Sequence, residues 1–114
     1  MKIVRVYSGD DGESHFQEVS PDEMAQIVNR LGSGDIELNR RTAPSFYDYH
    51  TAPRRQYVVF LEGTGEFETA DGAKVQMDVG DILVAEDLTG HGHIARGLGE
   101  GVRTSLAIPL ADPT

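Results

Sequence analysis

Gln56-Tyr-Val-Val-Phe-Leu-Glu-Gly63 is the stretch whose reading decides the fold. Side chains two apart on a strand share a face, so Gln56, Val58 and Phe60 point one way and Tyr57, Val59 and Leu61 the other. Both rows are largely apolar. The segment therefore reads as a central strand buried on both faces, its outer row packed against a second sheet or a second subunit. Just downstream, Ala70-Asp71-Gly72 marks a tight turn, because Asp-Gly accepts the positive φ that a hairpin requires. That turn pairs Glu66–Thr69 with Ala73–Met77. Gly63 and Gly65 are expected to bracket another tight hairpin.

Outward from this centre the period-two pattern continues. Strands are predicted over Lys2–Tyr7, Ser14–Val19, Ile36–Thr42, Ser45–His50, Ile82–Ala85, His93–Gly97 and Val102–Pro109. Short strands at near-regular spacing with turn signals between them indicate a sandwich or barrel. One short helix interrupts them. Ser20 is suited to cap it, Pro21 to open it, and Glu23 to complete a capping box with Ser20. Met24, Ile27, Val28 and Leu31 then form a helical-period stripe for packing on the sheet, and Gly32 suits the stop.

The chain has 114 residues and a formal charge of −9, with no cysteine. Its length suits one domain, 1–114. Its arginines stand in isolated pairs, Arg40-Arg41 and Arg54-Arg55, among many carboxylates, which argues against nucleic-acid binding. Without cysteine there is no disulfide, thiolate nucleophile or cysteine-ligated metal. The opening residues alternate charge and hydrophobicity and lack the apolar core of a signal peptide. No run is long enough to span a membrane, so a cytoplasmic protein with no membrane partner is expected.

Two stretches resemble cupin motifs. His50-Thr-Ala-Pro-Arg-Arg-Gln-Tyr-Val-Val-Phe-Leu-Glu-Gly63 is similar to the first, in which a His-x-His pair is followed by a Glu, then six residues and a Gly. His50 matches the first His, Ala52 falls at the second, Gln56 at the Glu, and Gly63 at the Gly. Gly80-Asp81-Ile-Leu-Val-Ala-Glu-Asp-Leu-Thr-Gly-His-Gly-His93 resembles the second motif, which opens on Gly-Asp and delivers one inward His. The motifs run from Asp48 to about Gly97 and look like those of small single-domain bacterial cupins. The resemblance implies an all-β, antiparallel cupin barrel (a double-stranded β-helix or jelly roll) around one interior pocket, commonly assembled as a homodimer.

The resemblance places His50 in that pocket, and strand parity then brings Asp48 and Phe46 with it, about 7 Å apart per step. Gln56, Val58 and Phe60 follow by the same alternation, and His93 is favoured over His91 as the inward His. Three readings remain open. In the first, His50, Gln56 and His93 form a polar cluster that binds a small molecule without catalysis. In the second, the same three residues hold a divalent transition metal (Fe, Zn, Ni or Mn) in a cupin oxygenase, isomerase or lyase with a reduced ligand set. In the third, His50 oriented by Asp48 is a base, as in metal-free epimerase-type cupins. One arginine of Arg54-Arg55 is expected to pair with Glu86 or Asp87 and pin the two motif turns. The other, with Arg54 as the candidate, is expected to reach an anionic ligand.

Overall fold

The structure, a computed structural model, describes residues 1–113. Eight strands and one helix follow one another as β1 (Ile3–Ser8), β2 (Ser14–Glu18), α1 (Pro21–Ile27), β3 (Glu37–His50), β4 (Gln56–Glu62), β5 (Thr64–Glu68), β6 (Lys74–Met77), β7 (Ile82–Glu86) and β8 (His93–Pro109). They form one strongly curled sheet, a half-barrel of all-β architecture. Most neighbours are antiparallel; β1 against β7 is parallel, which makes the sheet mixed. No helix among the described residues is long and apolar enough to cross a membrane.

β4 is central, hydrogen-bonded to β7 on one side and β8 on the other. Its inner row, with Phe60 fully buried, joins Val4, Phe67, Leu83, Ala85 and Ala95 in the main core. Its outer row is only partly covered. Tyr57 packs beside Ile3, Met24 and Val84, where α1 lies, whereas Leu61 is exposed. The half of β4 that the short helix reaches is therefore only half-buried on both faces, not the fully buried strand expected. Helix α1 has the expected cap: Ser20 Oγ accepts from Glu23 N, and Glu23 Oε1 accepts from Ser20 N. It ends at Ile27, one turn earlier than the stripe predicts. Met24 is buried, Val28 and Leu31 are exposed, and Leu31 turns away into a bridge with Leu110.

The β5–β6 hairpin forms in the expected place, Glu66 opposite Gln76 and Phe67 opposite Val75. The hairpin expected at Gly63 and Gly65 does not. β4 and β5 both run antiparallel to β8 and are successive segments of one bent strand. Gly63 makes the bend at φ +78°, with Val102 O only 3.0 Å from where a Cβ would sit. The two strands predicted on either side of Ala43-Pro44 are likewise one strand, β3, with a cis bond at Pro44, and the last two predicted strands are both within β8. The Gly80-Asp81 turn is tied down by Asp81, whose carboxylate accepts from Lys2 N and Asp78 N, each at 2.8 Å. Burial works against that charge, but these bonds hold the Asp81 pKa below the usual value.

Candidate functional site

The inner face of β3, β4, β7 and β8 surrounds a cavity of about 280 Å³. His50, Gln56, Val58, Phe60 and His93 are in its wall, together with Tyr47, Arg41 and Arg103. The two histidines are direct cross-strand partners in the β3–β8 ladder, and their ring centroids are 4.7 Å apart. Gly92 permits this. A Cβ there would fall 2.1 Å from His50 O, and its φ of +83° suits glycine. His91 lies outside the cavity, stacked on Tyr49 and bonded to Glu13.

Each imidazole is held by one nitrogen. Asp48 O lies 2.8 Å from His50 Nδ1; a carbonyl only accepts, so Nδ1 carries the hydrogen. His93 Nδ1 donates to Asp87 Oδ2 at 2.6 Å, and Ser14 Oγ donates to the same oxygen at 2.7 Å. Asp87 and His93 are both buried, and Asp87 Oδ1 has no hydrogen-bond partner among the described residues. In the neutral form of each ring Nε2 would carry a lone pair, and no described protein group bonds to either Nε2.

Phe46, Asp48 and Arg54 are placed elsewhere. Tyr47 faces Ala95 and His50 faces His93, so β3 uses three steps where β8 uses two. The extra residue is a β-bulge, and it inverts the parity on which the expectation for Phe46 and Asp48 rested. Tyr47 takes the inward position. Phe46 is on the outer face beneath Arg96, and the Asp48 carboxylate accepts from its own neighbour, Tyr49 N. The expected Asp48–His50 carboxylate–imidazole pair is replaced by Asp87–His93. Arg54 lies outside the cavity wall and donates from Nε to Gln56 Oε1 at 3.0 Å. Arg55 does pair with Glu86, which also receives Arg5 and Arg30. Burial would raise the Glu86 pKa; hydrogen bonds from these three guanidiniums outweigh it and hold the carboxyl below its ordinary value.

Sequence reasoning named Asp87 only as a partner for arginine. The signal for its inward position was present, since Leu83 and Ala85 set the parity of the inner row in β7. Arg41, Tyr47 and Arg103 went unnoticed because the irregular positions around Pro44 and after Tyr47 hide their common face.

The donor set does not fit a bound transition metal. Among the described residues no three His, Cys, Asp or Glu side chains gather in a ligand arrangement. Gln56, the third expected ligand, has its oxygen engaged by the Arg54 guanidinium, whose positive charge further opposes a cation there.

No protein-family model matches the chain, and no curated protein matches it. Among solved structures, the chain is similar to protein NMB1881 from Neisseria meningitidis, at 18% identity and a TM-score of 0.50. The likeness covers 71% of this chain and 79% of that one, and it bears on the fold alone.

Proposed function

We propose that this chain is a cupin-type barrel that binds a small organic molecule in its interior cavity. The observation that carries the reading is the paired presentation of His50 and His93. Two imidazoles sit side by side on the wall of one cavity, each tethered through Nδ1, with Nε2 left for a ligand. Ligand pockets commonly combine an apolar wall with a few placed polar groups, and Val58, Phe60, Phe67 and Leu83 supply that wall. Because Gln56 Oε1 is taken by Arg54, its amide nitrogen is the atom left to donate to a ligand.

The test is a nuclear magnetic resonance screen of small hydroxy acids, sugars and amides, read at the ring signals of His50 and His93. At least one compound should move both rings together and lose its effect in His93→Asn. Binders that move only surface residues would overturn the reading.

A second reading, metal-free chemistry, is favoured by the Asp87–His93 pair. A buried carboxylate that fixes an imidazole tautomer suits a general base. Here His93 would be the base, in place of the His50 assigned on sequence. Solvent deuterium entering a C–H position of a bound hydroxy acid, and lost in Asp87→Asn, would support it; the absence of exchange would remove it.

A homodimer and a cytoplasmic location belong to the same proposal. β3 pairs only with β8 among the described residues, so its other edge is open, and Leu38 and Phe46 along it are exposed. Unpaired edges of this kind are commonly covered in assemblies. Light scattering should give twice the monomer mass; a monomer at high micromolar concentration would refute the dimer.

A further inference from the structure

Most arginines of this chain are matched to a carboxylate. Arg5, Arg30 and Arg55 converge on Glu86, Arg40 meets Glu62, and Arg96 meets Glu66 and Glu68. Three arginines, Arg41, Arg54 and Arg103, have no carboxylate within 4.0 Å among the described residues, although the chain carries 19 Asp and Glu; Arg54 is engaged by Gln56 outside the cavity wall, which leaves Arg41 and Arg103. Both line the cavity, and they are direct partners across the β3–β8 ladder. Like charges directly opposite each other destabilise a sheet, and an acidic chain has ample means to avoid this.

The adjacent ladder pair on the same face is Asn39 opposite Ser105, both also in the cavity wall. Two guanidiniums, an amide and a hydroxyl therefore form a patch able to donate several hydrogen bonds, and the guanidinium fork suits the oxygens of a carboxylate or phosphate. Glu37, on the next ladder pair, ends this row and makes no salt bridge to either arginine. Arg41 rests over the Tyr47 ring at 5.1 Å, and Tyr47 in turn meets the edge of His50. The patch is thus continuous with the histidine pair.

Arg103 is held in place deliberately. Its Nη1 donates to Arg96 O at 3.2 Å and passes over Gly65, where a Cβ would lie only 2.8 Å away. Any side chain at position 65 would have to push the guanidinium aside. Burial brings the Arg103 pKa below its usual value; Tyr47 works against this, and the charge of Arg41 adds a smaller lowering, as expected for a cation lacking its counter-ion.

We infer that Arg41 and Arg103, with Asn39 and Ser105, form an oxyanion subsite, so that the molecule held in the cavity carries a carboxylate or phosphate group next to the part that meets His50 and His93. This rests on the interior-ligand reading above for its second half only; the subsite itself can be tested without it.

The experiment follows the arginine Nε–Hε signals by nuclear magnetic resonance while wild-type protein is titrated with inorganic phosphate and, separately, with succinate. Signals of Arg41 and Arg103 should shift together and saturate, while those of Arg5, Arg30 and Arg55, already satisfied by Glu86, stay still. The anion that saturates at the lower concentration tells phosphate from carboxylate. Arg41→Gln, on an exposed residue, should weaken binding at least about ten-fold, the size of one charge-assisted hydrogen bond. Gly65→Ala, which leaves both arginines in the chain, should also weaken it by displacing Arg103. His93→Asn should leave binding of either anion within about two-fold, so that failure of the interior-ligand reading is seen separately from failure of the subsite. Equal shifts across all exposed arginines, or equal affinity in wild type, Arg41→Gln and Gly65→Ala, would overturn the inference.

Discussion

Glu86 and Asp87 are neighbours in sequence, nearly equal in burial and opposite in surroundings. Glu86 is 5% exposed and Asp87 not at all. Glu86 ends β7 and Asp87 is the next residue, and they point to opposite faces. Glu86 follows Val84 outward and meets three guanidiniums, whereas Asp87 follows Leu83 and Ala85 inward and meets one imidazole and one hydroxyl. The first carboxylate is over-supplied with partners and joins β1, the turn after α1 and the loop before β4. The second keeps an oxygen unpartnered, an expense tolerated at a site more readily than in a structural core. What the contrast teaches is that buried charge has two uses in this chain. One holds elements together, and the other orients an imidazole whose Nε2 has no described protein partner.

Breaking each member in turn sharpens the contrast. Glu86→Gln should have the largest effect on stability, about 3 kcal/mol in urea unfolding, because it leaves three partly buried guanidiniums without their shared charge. The cavity and the His50–His93 pair should persist, with ring signals unchanged. Asp87→Ala should cost less, about 1–3 kcal/mol, the penalty of stranding the Ser14 hydroxyl and His93 Nδ1–H. Its distinctive readout is the His93 ring: nitrogen chemical shifts should change from one dominant tautomer to a mixture. A single dominant tautomer in Asp87→Ala would mean that another group orients the ring.

The two should also separate by pH. The folded-state pKa of Glu86 is below its ordinary value of 4.5, so its contribution to stability is complete above that value. As pH falls below 4.5 and through the folded value, the contribution is lost. Melting temperature should therefore drop on acidification from that point, and Glu86→Gln should flatten part of the drop; parallel curves for the two proteins would count against this role.

The smallest effects belong to the bulge in β3, which sets one aromatic outward and the next inward. Phe46→Ala should change stability by about 0.5 kcal/mol or less and leave phosphate and succinate titrations unaltered, as expected for an exposed side chain. Tyr47→Ala should be similarly mild in stability but should weaken anion binding two- to five-fold, since the ring supports Arg41 over the cavity. If Phe46→Ala matched Tyr47→Ala in the titrations, the bulge would have been misplaced.

Much of this architecture was legible in residue order. The β5–β6 hairpin follows from Asp71-Gly72, the helix start from Ser20, Pro21 and Glu23, and the central place of β4 from two interleaved apolar rows. These are local properties, decided by backbone sterics, capping and a period of two. His50, Gln56, Val58, Phe60 and His93 could be named as one group because regular alternation and motif spacing reach that far.

The tertiary structure decided the rest, wherever one residue too many or one neighbour from afar intervenes. A single bulge between Tyr47 and His50 exchanges the faces of Phe46 and Tyr47 and removes the Asp48 carboxylate from the site. Pairing across 62 positions of sequence sets Arg41 beside Arg103, and pairing of β4 and β5 with the same partner, β8, turns an apparent hairpin into a bend. Asp87 shows the division most simply. Its inward direction is written in the alternation of β7. That it meets His93 and Ser14 while Glu86 collects the arginines depends on the curl of the sheet, which brings β2 and β8 to one side of β7 and the arginines to the other.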